Sequence, residues 1–149
     1  TGLWIVPPGF PPRLVARDGD PAPCIGDGLT ARFTRFLALG TDPHETDPDR
    51  QTTLFLARLV NTRGLVTSAS NTGLWAASAA PDSPPRLLIR TGTLIPIGRQ
   101  NLPLRSIEAL RTTRGTPGAG RTATTPPRLL YLATLPGSQA LIQSLLPEE

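Results

Sequence analysis

Residues 1–23 read TGLWIVPPGFPPRLVARDGDPAP, and residues 72–96 read TGLWAASAAPDSPPRLLIRTGTLIP. Thr1-Gly2-Leu3-Trp4 returns as Thr72-Gly73-Leu74-Trp75, and Pro11-Pro12-Arg13-Leu14 returns as Pro84-Pro85-Arg86-Leu87. Arg17 matches Arg90, Gly19 matches Gly92, and Pro23 matches Pro96. Two four-residue identities in the same order mark an internal repeat, and a repeat decides how everything else in a chain is read. A second pair follows at similar spacing: residues 53–59, TLFLARL, resemble residues 129–135, LLYLATL. The spacing predicts a unit of about 70–76 residues and about two units, 1–71 and 72–149, in a single β-repeat region.

Each matched segment reads as a strand. Leu3–Val6, Arg13–Arg17, Leu54–Leu59, Leu74–Ala77, Arg86–Arg90 and Leu129–Leu135 are apolar runs too short for helices and bounded by turn-forming residues. Proline pairs before Arg13, Arg86 and Arg128 hold the backbone extended and oppose helix initiation. Phe33–Leu39 and Ser106–Leu110 occupy the next slot, where a helical turn is the alternative. Gln139–Gln143 falls where the Gly-Leu-Trp strand should return; Leu141 with Leu145 also fits helical spacing, and the repeat register favours strand. Eighteen prolines and fourteen glycines in 149 residues agree with many short strands joined by turns. The expected fold is all-β: antiparallel meanders in a propeller-like arrangement of about eight or nine strands, with a β-sandwich as the alternative.

Gly2-Leu3-Trp4 followed by Arg13-Leu14-Val15-Ala16-Arg17-Asp18-Gly19-Asp20-Pro21-Ala22-Pro23 resembles the blade motif of bacterial secreted tandem-repeat proteins of the choice-of-anchor type. These are β-propeller-like proteins with a repeat of the form G-[IL]-W … L-R-L-V-A-R-x-G-D-x-x-P. Gly73–Pro96 carries the same pattern with Thr91 and Thr93 in the two acidic places. The resemblance covers about half of the chain. It implies a secreted or cell-surface β-repeat module that binds or scaffolds, and it brings no catalytic residue. Two departures follow. The unit is longer than the ~40–50 residues of common propeller blades, the excess falling in the loop-like stretches 40–53 and 111–127. Two units are also too few to close a ring.

Net charge is +4, and all fifteen basic residues are arginine, spread along the chain in the manner of a GC-rich coding sequence. No signal peptide is visible and the reading starts mid-unit, so the expectation is a piece of a longer protein or a mature product. No apolar stretch reaches the ~20 residues of a membrane helix. The lone Cys24 forms no intrachain disulfide and no cysteine-based zinc site.

Chemistry-bearing residues concentrate in one segment. Asp42, His44, Glu45, Asp47 and Asp49 are candidate metal ligands, with Ca²⁺ as the candidate ion; the spacing departs from the EF-hand loop and includes two prolines. The alternative function is a hydrolase that uses Asp42, Glu45, Asp47 and Asp49. Asp18-Gly19-Asp20 reads as a glycine-centred turn rather than a cation site, because the second copy keeps Gly92 and loses both acids. Arg105, Arg111, Arg114, Arg121 and Arg128 make a basic stretch without the interleaved aromatics that single-strand binders use, so no nucleic-acid partner is expected. Trp4 and Trp75 read as equivalent core residues rather than sugar-stacking platforms. Signatures of the common enzyme classes are missing. The expected partners are the remainder of a longer chain or a second copy, with a protein or carbohydrate ligand as a further option. Exposed apolar residues drawn from Leu3, Trp4, Leu14 and Val15 at one end, and from Leu130, Leu132, Leu141 and Ile142 at the other, predict self-association and marginal stability of the chain alone.

Overall fold

A computed structural model describes residues 1–6, 11–23, 31–41, 52–60, 66–78, 83–113 and 128–145. Eleven strands and no helix occur among them: β1 (Gly2–Ile5), β2 (Arg13–Arg17), β3 (Arg32–Thr41), β4 (Thr52–Val60), β5 (Thr72–Ser78), β6 (Arg86–Arg90), β7 (Leu94–Ile97), β8 (Gln100–Pro103), β9 (Ser106–Thr113), β10 (Arg128–Leu135) and β11 (Ser138–Leu145). The fold is all-β and antiparallel. The tail is a strand, and both ambiguous segments at β3 and β9 are strands as well.

The strands group into four sheets: β1-β2, β3-β4-β5-β6, β7-β8 and β11-β10-β9. The four-stranded meander is the middle layer. Strand alternation gives it two apolar faces. On one, Phe33, Phe55, Ala57, Trp75 and Ala77 pack against Leu3, Ile5 and Ala16 of the β1-β2 sheet. On the other, Leu54, Leu56 and Leu74 pack against Ile107, Tyr131, Ala133 and Leu135 of the β9–β11 sheet and against Leu104, just before β9. We call the first the tryptophan face and the second the leucine face. A strand buried on both sides explains why residues 54–57 read as a continuous apolar run instead of alternating.

The tryptophan face is an aromatic cluster. The Phe33 ring meets the Trp75 ring edge-on at 5.0 Å, and Phe55 stacks on Trp75 at 5.7 Å and 12°. Such offset and edge contacts add to the burial of the rings themselves.

Two matched segments share their hydrogen-bond register residue by residue. In β1-β2, Gly2 pairs with Arg17 and Leu3 with Ala16; the register then slips so that Trp4 pairs with Leu14. In β5-β6, Gly73 pairs with Arg90 and Leu74 with Ile89; the register then slips so that Trp75 pairs with Leu87. Val15 and Leu88 are therefore the extra residues of two β-bulges at the same point of the motif. The β3-β4 and β9-β10 ladders share one bulge: Phe36 pairs with Ala57 and Ile107 with Ala133, and the unpaired residues beside them are Leu37 and Glu108; β3 has a further bulge at Thr34.

The structure corrects three details of the sequence reading. Trp4 is not core: it is 56% exposed, whereas Trp75 is fully buried, because the middle sheet has a neighbour on its tryptophan face and the β1-β2 sheet has none among the described residues. The stretches 40–53 and 111–127 are not loop throughout, since β3 reaches Thr41, β4 starts at Thr52 and β9 reaches Thr113. Finally, the hairpin β7-β8 is additional. Pro96 and Pro103 conceal it in sequence, yet proline is tolerated where a ladder has an open edge.

Candidate functional site

The loops that follow β2 and β6 are built alike. After Arg17, Gly19 adopts φ 89°, and after Arg90, Gly92 adopts φ 85°, a left-handed conformation that glycine reaches without steric cost. The Gly19 N–H donates to the Phe33 carbonyl at 2.8 Å and the Gly92 N–H donates to the Leu104 carbonyl at 2.7 Å. The first turn thus ties its sheet to β3, and the second ties the middle sheet to the residue just before β9. In the first turn the Asp20 carboxylate accepts from the Arg17 backbone N–H and from Arg17 Nε, both at 2.9 Å. The Arg17 hydrogen bond holds the Asp20 carboxyl below its ordinary value of 3.8. In the second turn Thr91 stands in the place of Asp18, and its Oγ1 accepts from the Thr72 N–H at 3.2 Å. Asp20 is thus engaged in closing its turn.

The glycine of Gly-Leu-Trp has a separate task. A Cβ on Gly73 would come within 2.4 Å of Trp75 Cη2, and one on Gly2 would come within 3.1 Å of Trp4 Nε1. In both copies the indole lies back across the glycine two residues earlier on the same face of the strand. The spacing of the motif is a packing requirement of the ring.

Two surfaces stand out as sites for a partner. The first is the tryptophan face of the β1-β2 sheet, where Trp4, Leu14 and Val6 are exposed, Val6 at 65%. The second is the leucine face of β9–β11, where Leu141 is 67% exposed and Leu132 beside it is half-buried. A polar cluster borders this second surface. The Glu108 carboxylate accepts from Thr134 Oγ1, from Gln139 Nε2 at 3.2 Å and from Ser106 Oγ at 3.3 Å. Between the first two sheets, Arg13 donates from Nη2 to the Ser78 carbonyl, which joins β2 to the end of β5.

Asp42, His44, Glu45, Asp47 and Asp49 lie outside the described residues, as do Cys24, Arg114 and Arg121. Among the described residues no three of His, Cys, Asp and Glu come together in a way that would hold a metal, and no helix is long and apolar enough to cross a membrane. Sequence reasoning did not single out Glu108. Its signal is positional: an acid at the place that Leu37 holds in the middle sheet, next to threonine and glutamine on neighbouring strands.

Comparison with known proteins adds no relative: no family model, no curated protein and no solved structure matches the chain.

Proposed function

We propose that the chain is a non-catalytic stacking module of a propeller-like β-repeat protein, secreted or on a cell surface, that binds or scaffolds through its sheet faces. The observation that carries this reading is the recurrence of one arrangement: the same bulge in β1-β2 and β5-β6, the same glycine turn after β2 and after β6, and a hydrogen bond from each turn glycine to a carbonyl in or beside a later sheet, Phe33 in β3 and Leu104 just before β9. A chain that repeats an arrangement of this kind builds a stack of sheets, each burying its faces against the next. The sequence motif and its resemblance to secreted tandem-repeat proteins support the compartment. Of the described carboxylates Asp18, Asp20 and Glu108, the last two accept local hydrogen bonds, which supports a structural use of those acids.

One experiment separates the module from the hydrolase alternative, and the module predicts no turnover in it. Replacing Asp42, Glu45, Asp47 and Asp49 together by Asn and Gln should leave strand content and melting essentially unchanged, and neither protein should turn over glycosidic or ester substrates. Turnover by the parent chain that disappears in the quadruple variant would overturn the module reading.

A further inference from the structure

The two exposed faces are the two halves of an interface that the molecule already makes twice. In both of these contacts, the leucine face of the sheet earlier in the chain meets the tryptophan face of the later one. Leu3, Ile5 and Ala16 of β1-β2 meet Phe33, Phe55 and Trp75. Leu54, Leu56 and Leu74 of the middle sheet meet Leu104, Ile107 and Tyr131. What stays open is the tryptophan face of the first sheet and the leucine face of the last.

The residues on the open faces occupy the register positions of residues packed inside the molecule. Trp4 holds the place of Trp75 and Leu14 that of Leu87, since Trp4–Leu14 and Trp75–Leu87 are the same pair of the shared register. At the other end Leu132 pairs with Leu141 as Leu56 pairs with Leu74. Trp75 and Leu74 are both fully buried. The polar positions correspond as well, because Thr134 and Gln139 form the pair that Arg58 and Thr72 form in the middle sheet. Gln143 is the departure, standing opposite Leu130 where Ala76 stands opposite Leu54.

We infer that a second copy of this chain docks head to tail, with its β1-β2 tryptophan face on the leucine face of β9–β11. The contact is heterologous: each copy uses one face and offers the other, so growth continues into a closed ring or an open stack. A two-stranded sheet on a larger one is sufficient, because β1-β2 already packs on the four-stranded middle sheet in this way. Exposed contiguous apolar surface supplies the driving force. The inference rests on the stacking-module reading and adds the partner and the polarity of the contact.

The test uses the full chain with Trp4→Glu, which closes the tryptophan face, and Leu141→Glu, which closes the leucine face. Sedimentation velocity reads the mass, and circular dichroism verifies the strands. The parent chain should form concentration-dependent multimers. Each variant alone should fall to the mass of a single chain, 15.8 kDa. An equimolar mixture should rise to twofold that mass and stop there, because the intact leucine face of one variant meets the intact tryptophan face of the other. A parent chain that stays a monomer overturns the inference. So does a mixture that does not pair, or a Trp4→Glu variant that dissociates while Leu141→Glu still associates, which is the pattern of a contact between like faces. If either variant loses its strand signal, Val6→Glu and Leu132→Gln replace the pair under the same criteria. Because the substituted positions lie outside both internal interfaces, failure to associate leaves the stacking module standing, whereas substrate turnover would remove it.

Discussion

Gly73 illustrates how a single residue can carry a constraint that is hard to see in its own identity. Its φ is not the issue; the space above it is, because the Trp75 ring occupies the position of a Cβ at 2.4 Å. That ring is locked between Phe33 and Phe55 and cannot turn aside. Gly73→Ala should therefore destabilise the fold by about 1–3 kcal/mol, the cost of overpacking a dense core. Gly2→Ala places the same methyl under an exposed indole, and its cost should stay within about 0.5 kcal/mol in the range of ordinary surface changes. Urea denaturation of the two variants side by side checks this, and equal losses would refute it. The Gly-x-Trp spacing was legible in the sequence, yet its reason was not, since a one-dimensional pattern does not show that the ring folds back over the glycine.

At the scale of the element, β5 and β11 are one strand in two environments. Leu74 and Leu141 have the same cross-strand partner type, Leu56 and Leu132, in the same register. Local sequence treats them alike. Leu74 is buried between two sheets, and Leu74→Ala should cost about 2–5 kcal/mol through lost transfer energy and the cavity left behind. Leu141→Ala should change the stability of the isolated chain by no more than about 0.5 kcal/mol. The measurement is the denaturation midpoint at a protein concentration low enough to keep the chain monomeric. Comparable losses would mean that β11 is covered. The same contrast explains Trp4 and Trp75: a recurrent tryptophan in a β-repeat signals a packing position, but whether a neighbour is present to fill it is a property of the stack.

In the whole molecule, the boundary of the sequence repeat is not the boundary of a sheet. The middle sheet takes β3 and β4 from before residue 71 and β5 and β6 from after it. The β4-β5 ladder, from Thr52–Ser78 to Arg58–Thr72, stitches the two units together. Neither unit therefore contains a complete middle layer. Residues 1–71 expressed alone would expose Phe55 and Leu56, which β5 and the last sheet now cover, and we predict a largely unfolded chain by circular dichroism. A cooperative melt of that half would show that each unit is self-sufficient and that the interlocking is incidental.

By itself, the sequence determined that the chain is antiparallel β with strands at Arg13–Arg17 and Arg86–Arg90, because five apolar-centred residues after two prolines have no helical alternative. It also marked the turns at Gly19 and Gly92 as equivalent, because the second copy keeps the glycine and loses both acids. Tertiary structure alone decided which copy of each paired position is core. It also decided that Pro96 and Pro103 sit in a hairpin, and that the acid at Glu108 meets Thr134 and Gln139. The physical reason is that burial belongs to a pair of faces. A strand's own residues set which face is apolar, but only the next sheet in the stack removes that face from water.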